Sequence, residues 1–155
     1  MTGWQRLRMA VNLLNLSTPL GILLARLTRT QLQPGPDGLV FATGYRPLLP
    51  TAGAFTVGNV VFYRANRCFI DAQPRLLGHE ARHCTQYACC LGLPFLPLYG
   101  LGALWSLWRT GEPGSRNPFE RQAGLDAGGY QRHPTIARFR PTIDRFRGTE
   151  TEVVR

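Results

Sequence analysis

The 155-residue sequence contains no lysine, so all 18 of its basic residues are arginine. Only nine acidic residues oppose them, and the formal net charge is +9. Codon bias in a GC-rich genome is the simplest explanation for the missing lysine. The arginine excess also favours contact with phosphates or with anionic lipid, as a peripheral membrane or anionic-surface contact. Charge alone does not choose between these partners, and no specific nucleic-acid motif accompanies it.

The sequence also lacks the paired cysteine spacing of a disulfide framework. Its four cysteines are Cys68, Cys84, Cys89 and Cys90. We interpret them as reduced thiols, which predicts a cytoplasmic protein, with membrane association as an option. Cys84 and Cys89 share one spacing with plant-type ferredoxins, so an iron–sulfur or thiol redox protein is an alternative. Against it, Cys89 and Cys90 point about 100° apart on a helix.

Long uninterrupted apolar runs are missing as well. Polar residues interrupt the N-terminal segment 1–27, and no small-x-small cleavage site follows, which is evidence against a signal peptide. Residues 87–108 carry no charge and are long enough to cross a bilayer, but several glycines and prolines divide them. We expect a buried two-helix corner there, with a membrane-embedded or peripheral segment as the alternative.

The remaining pattern predicts an α+β fold, mainly helical, with a small two- or three-stranded sheet. We expect strands at 39–43 and 54–64, the second with a bulge or tight bend at Gly58-Asn59. Helices are expected at 4–14, 19–30, 74–91, 98–110 and 118–127. We divide the chain into an N-terminal helical segment 1–33, a metal-binding domain 34–130 and an Arg-rich tail 131–155. The tail contains a near repeat, TIARFRP then TIDRFRG, interpreted as weakly ordered.

Two of the three histidines belong to one short motif, His79-Glu80-x-x-His83, within the predicted helix 74–91. Positions i and i+4 share a helix face, so the two imidazoles can converge on one Zn²⁺ at about 2.0–2.1 Å. Glu80 lies near the same face. Zinc lowers the pKa of a bound water to about 7, and a carboxylate can then take its proton. The alternative is a chance match on an ordinary helix.

A catalytic zinc needs a third protein ligand and one open position. The downstream candidates are Glu112, Glu120, Asp126 and His133. Glu112 lies in a Gly/Pro turn where solvation is expected, whereas Asp126 precedes the AGGYQRHP segment, expected to be flexible, and His133 lies within it. Glu120 lies early on a predicted helix, and the small Ala123 would let that helix approach the motif helix closely. We therefore predict Glu120 as the third ligand.

The motif GHEARH with the following QY, and NPFERQA downstream, resembles the gluzincin branch of the zincin metallopeptidases. The resemblance implies that His79, His83 and Glu120 hold Zn²⁺ and that Glu80 is the general base. The stretch AFTVGNVVFYR resembles the minimal, peptidase MA-like members, in which a strand ahead of the motif helix binds extended substrate at the sheet edge. It therefore implies a zincin-like fold over about residues 52–130.

The resemblance implies a zinc-dependent metallopeptidase-like hydrolase that acts on a peptide or protein substrate. The chain departs from two-domain gluzincins because it is far shorter, so we expect the far wall of their cleft to be missing here. No residue is identified as the transition-state stabiliser, although Tyr99, Tyr130 and His133 are candidates. The alternative is a catalytically inactive zincin-like module that holds a metal and binds a protein partner.

Overall fold

A computed structural model describes residues 1–66, 68 and 72–136. Short 3-10 segments at Pro36–Gly38 and Leu125–Gly128 accompany the regular elements. The architecture is α+β, as predicted. The elements of the described residues are α1 (Gly3–Leu14), α2 (Ser17–Leu27), β1 (Gln31–Pro34), β2 (Val40–Thr43), β3 (Ala54–Val57), β4 (Val60–Tyr63), α3 (Pro74–Cys89), α4 (Phe95–Thr110) and α5 (Pro118–Ala123).

The sheet is mixed, with strand order β1-β2-β4-β3. Strands β2 and β4 are parallel, and the other two neighbouring pairs are antiparallel. The prediction of two or three strands is too low, because β1 pairs with β2 although its sequence, QLQP, has no strand-like apolar alternation. Residues 54–64, predicted as one strand, form two strands of a hairpin.

The hairpin turn is made by Gly58 and Asn59, where the sequence indicated a bend. Gly58 has φ 64°, in the left-handed region that glycine enters without a Cβ clash. A Cβ on this residue would also come within 2.4 Å of the backbone nitrogen of Thr18, at the start of α2. The turn is therefore tight both in its own conformation and in its packing against α2.

Strand β4 is buried on both faces. Val60 and Phe62 belong to one apolar cluster, which includes Tyr87 of α3. Val61 and Tyr63 belong to the other, which includes Cys84 of the same helix. Since successive side chains of a strand point to opposite faces, this split follows from the period of two. Helix α3, which carries the HExxH motif, therefore borders both apolar clusters.

Helix α1 is attached to this framework by polar side chains. The guanidinium of Arg8 donates to the carbonyl of Asp37 at 2.7 Å. The side-chain amide of Asn12 donates to Asn59 Oδ1 at 3.0 Å and to the carbonyl of Cys84 at 2.8 Å. Asn12 thus joins α1, the hairpin turn and α3 at one buried point.

Residues 87–108 do form a corner between α3 and α4, but the expectation that it is buried is wrong for α4. Only Phe95 and Ser106 of this helix are buried, because its main packing partner is the short helix α5. In the described part of the chain, no single helix is long and apolar enough to cross a membrane. Helices α1 and α2 reach that length and composition only as a pair bent by 70°. Most of the Arg/Phe repeat, residues 137–148, lies outside the described residues.

Candidate metal centre

The side chains of His79, His83 and Glu120 converge where α3 and α5 meet. Their nearest ligand atoms all lie within 4.8 Å of one another. The two Nε2 atoms are 3.0 Å apart, and Nε2 of His79 is 3.2 Å from Oε2 of Glu120. Nε2 of His83 is 3.6 Å from Oε1 of the same carboxylate. Within the described ranges, no other group of three or more His, Cys, Asp or Glu side chains has this geometry.

Local structure explains how each ligand is presented. Helix α3 begins with Pro74, whose missing N–H is not needed in the first helical turn. The i, i+4 spacing then stacks the two imidazoles edge to face, with ring centroids 4.6 Å apart. Helix α5 begins with Pro118 behind the capping side chain of Asn117, which accepts from the backbone of Phe119 at 3.1 Å. Glu120 therefore lies in the first turn of α5.

Two contacts hold α5 against α3. Arg82, one residue before His83, donates to the carbonyl of Ala123 at 2.6 Å. The side chain of Ala123 is fully buried, so the two helices approach closely at this position. The acceptor is at the C-terminal end of α5, where the last carbonyls of a helix have no partner within the helix itself.

The other nitrogen of each imidazole faces a hydrogen-bond acceptor. His79 Nδ1 lies 3.1 Å from the carbonyl of Gly124, and His83 Nδ1 lies 2.7 Å from Oε1 of Gln86. Gln86 is itself oriented, because its Nε2 donates to the carbonyl of Phe119 at 2.9 Å. An imidazole whose proton on Nδ1 faces one of these acceptors has the lone pair of its Nε2 available for a metal ion. No role for Gln86 was predicted from the sequence, although its i+3 spacing from His83 indicates one.

The carboxylate of Glu120 faces the Nε2 atoms of both histidines. Its Oε1 accepts a hydrogen bond from the hydroxyl of Tyr99, but no described donor is aligned with the buried Oε2. Burial by itself would raise the pKa of Glu120. The contacts with His79 and His83, and the Tyr99 hydrogen bond, outweigh burial and lower this pKa to about 2. A buried carboxylate oxygen without an aligned donor, beside two imidazole Nε2 atoms, favours a cation at this place.

The neighbouring acidic side chains also change the pKa of His83. Burial favours its neutral ring, but the neighbouring carboxylates of Glu120 and Glu80 outweigh burial and raise the pKa of this imidazole. A positive charge is therefore favoured at the centre, as a proton or as a metal ion. Two imidazoles and one carboxylate are a ligand set typical of catalytic zinc, so the residues present fit this metal.

Glu80 lies beside this group and is also buried. Its Oε2 accepts a hydrogen bond of 2.6 Å from the hydroxyl of Thr56, on the edge strand β3. Burial raises the pKa of Glu80, and the charge of Glu120 adds to this. The Thr56 hydrogen bond and the two histidines act in the opposite direction but do not cancel the increase. A carboxyl with a raised pKa is suited to accept a proton near neutral pH.

The remaining candidate residues do not join the three ligand atoms. Glu112, Asp126 and His133 lie outside the group, and the backbone of His133 is instead held by Ser115. Tyr99 does reach the site, through Glu120. The four cysteines, all within the described residues, do not form a cluster with metal-ligand geometry, and Cys68 and Cys89 are exposed.

Comparison of the chain with protein-family models, with curated proteins and with solved structures finds no match. The resemblance to the gluzincin branch therefore stays a prediction from the motif residues.

Proposed function

We propose that this protein is a zincin-like, zinc-dependent hydrolase that cleaves peptide bonds. One observation carries the proposal: His79 Nε2, His83 Nε2 and the Glu120 carboxylate converge at one buried place, and no described donor is aligned with Glu120 Oε2. These three residues would hold the metal. Zinc, when bound, supplies a Lewis acid and lowers the pKa of a water molecule to about 7.

Glu80 would act as the general base. Its raised pKa lets it take a proton from the attacking water, and the hydrogen bond from Thr56 holds the carboxylate in one orientation. The protonated Glu80 would then return this proton to the nitrogen of the leaving amine. Proton gain and loss are balanced, so the carboxylate is restored after each cycle.

The position of β3 supports a peptide substrate. In the described part of the chain, β3 pairs with β4 alone, so its other side has unpaired backbone groups. An extended peptide can add to such an edge by main-chain hydrogen bonds. Because Thr56 of β3 contacts Glu80, a peptide on this edge would pass close to the general base.

A second candidate function is a zincin-like module that holds the metal and binds a protein partner without turnover. The burial of the centre favours it: His79, Glu80 and Glu120 are only 2%, 3% and 2% exposed. A scissile carbonyl would reach these side chains only after local opening. A purely structural zinc site has no such requirement, although it normally has four protein ligands.

Metal content is the first test. The full chain, without a histidine tag, is purified after growth with zinc and analysed by mass spectrometry for bound metals. We expect about one zinc per chain, lost in His83→Ala and in Glu120→Ala but kept in Glu112→Ala, which changes a glutamate outside the centre. A parent protein without zinc, or equal loss in Glu112→Ala, would overturn the proposal.

Turnover is tested separately on the zinc-loaded protein. A mixture of unstructured peptides is incubated with the parent and with Glu80→Gln, and new termini are identified by mass spectrometry. Cleavage by the parent, absent in a Glu80→Gln variant with full zinc content, is the expected result. Full zinc content without any Glu80-dependent cleavage would instead select the non-catalytic module.

A further inference from the structure

Helix α4 exposes most of its large apolar side chains. Its two buried residues are Phe95 and Ser106. In contrast, Leu101 and Leu104 are 64% and 63% exposed, and the two tryptophans of this helix are half exposed. A surface helix of a water-soluble domain normally has the opposite arrangement, with its apolar stripe facing the core.

Helices α1 and α2 also bury small or polar residues and expose large apolar ones. The buried residues of α1 are polar, Arg8 and Asn12, whereas Leu13 and Leu14 on the same helix are exposed. In α2 the buried residues are small: Ser17, Thr18, Gly21 and Ala25. Small or polar residues at helix contacts, with large apolar residues outside, are typical of helices that contact lipid. We call the outer sides of α1, α2 and α4 the leucine face.

The two corners of the leucine face meet. Gly92, between α3 and α4, packs on Asn15, between α1 and α2, where a Cβ on Gly92 would come within 2.6 Å of Asn15 Cγ. Beside these residues, Leu16 and Leu91 have φ values of 66° and 57° and are 62% and 76% exposed. A leucine in the left-handed conformation is sterically costly. Each corner nevertheless has one such leucine, and its side chain is exposed to solvent.

Charge is absent around these corners. Residues 9–25 and 84–108 contain no aspartate, glutamate, lysine or arginine. Arginines border these windows: Arg8 and Arg26 in the first case, and Arg109 after the second. A surface that meets another soluble protein usually carries a polar rim and charged side chains. A surface in contact with hydrocarbon has to be free of charge in its centre.

All three tryptophans of the chain lie on helices that contribute to this face. Trp4 on α1 and Trp105 and Trp108 on α4 are each about half exposed, at 51%, 50% and 50%. The guanidinium of Arg109 lies 5.1 Å from the ring centroid of Trp105. Tryptophan and arginine side by side are suited to the boundary between acyl chains and headgroups. On α4 they lie about 15 Å along the helix axis from the corner, at about 1.5 Å per residue.

We propose that the leucine face docks into the acyl-chain region of a lipid bilayer. The two corners enter most deeply, because they are free of charge, and Trp105, Trp108 and Arg109 lie at the headgroup level. With their other sides, α1 packs on α3, α2 packs on β3 and β4, and α4 packs on α5. The face therefore lies on the membrane in the manner of an interfacial helix pair.

The site and the face share α4. Tyr99 of this helix donates to Glu120, and Phe95 packs near His83, with ring centroids 6.3 Å apart. Docking would thus place the metal centre one helix away from the lipid. This consequence rests on the proposed function, whereas docking itself does not depend on metal.

Vesicle flotation of the full chain tests the proposal. Vesicles of phosphatidylcholine alone, and with about one third phosphatidylserine, are compared in 0.15 M and 0.5 M NaCl. We expect flotation with both compositions at both salt concentrations, because apolar burial is not screened. We also expect a blue shift of tryptophan fluorescence. No flotation, or flotation only with phosphatidylserine at low salt, would overturn insertion of the leucine face.

Two double variants identify the face. Leu101→Glu with Leu104→Glu changes the outer side of α4, and we expect vesicle partitioning to fall at least about tenfold. The matched control, Leu48→Glu with Leu49→Glu, changes leucines that are 84% and 71% exposed but lie on the loop before β3. It should bind as the parent does. Equal binding by the α4 variant would contradict the proposal.

Circular dichroism and zinc content of each variant show that the fold is kept. Loss of vesicle binding with unchanged zinc content supports docking, and failure of the zinc measurement in the parent would affect only the proposed function. Sedimentation velocity without lipid tests whether the leucine face instead binds a second copy of the chain. An oligomer of the parent that the α4 variant dissociates would assign the face to a second copy of the chain and overturn the lipid assignment.

Discussion

Gly128 lies against the imidazole ring of His79, so closely that a Cβ on residue 128 would come within 2.5 Å of Cε1 and 2.6 Å of Nε2. The Gly128→Ala substitution should therefore displace the ring or the 3-10 segment that supports it. We expect zinc affinity to fall about 10- to 100-fold, the usual cost of disturbing the support of a ligand. Competition with a chromophoric chelator measures this affinity.

Gly78→Ala is the matched control for that experiment. Gly78 precedes His79 in the interior of α3, and a Cβ there meets nothing within 4 Å. Zinc affinity should stay at the parent value. Thermal stability should be equal or higher, because alanine stabilises a helix interior by up to about 1 kcal/mol relative to glycine. Similar zinc loss in both variants would show that Gly128 has no special relation to the ring.

Tyr99→Phe tests the support of the third ligand. The substitution removes the hydroxyl that donates to Glu120 Oε1, and it leaves a buried carboxylate with one hydrogen bond fewer. Zinc affinity should fall about 10-fold or more. In Tyr87→Phe, by comparison, the lost hydroxyl is buried without a hydrogen-bond partner among the described residues. That variant should bind zinc as the parent does, and a larger effect there would contradict this account.

Acid should destabilise the metal-free protein through Glu120. Its pKa is lowered from 4.5 to about 2 in the folded state, so its stabilising effect is present above pH 4.5 and is lost as the pH falls towards 2. Between pH 6 and pH 3, this carboxyl accounts for a loss of about 2 kcal/mol in the free energy of unfolding. Urea unfolding at both pH values measures this loss. In Glu120→Gln the loss should be smaller than in the parent by about 2 kcal/mol. In Glu112→Gln it should equal that of the parent.

Thiol labelling separates the cysteines. Cys84 is fully buried, and burial raises the pKa of its thiol to about 12, so little thiolate exists at neutral pH. Iodoacetamide at pH 7.5 should modify Cys68 and Cys89, which are exposed, and should reach Cys84 only after unfolding. Peptide mass spectrometry measures each site. Joint protection of all four cysteines, with visible absorption, would instead favour the iron–sulfur alternative.

Features that depend on neighbours within one helix or turn could be predicted from the sequence. His79 and His83 share a face because the helical repeat places residues i and i+4 together. Glycine at position 58 indicated the bend that became a hairpin turn. The first-turn position of Glu120 followed from Pro118 behind Asn117. These patterns depend on backbone geometry over a few residues.

Features that depend on distant parts of the chain were decided by the tertiary structure. Strand β1 has no strand signal of its own and exists because β2 offers it a partner. Tyr99, which donates to Glu120, lies on α4. The carbonyl of Gly124, which faces His79, comes directly after the end of α5. The apolar residues of α4 predicted a buried corner, yet no described element covers its outer side. Apolar periodicity identifies a face of a helix, but only the packing of the whole chain determines what that face contacts.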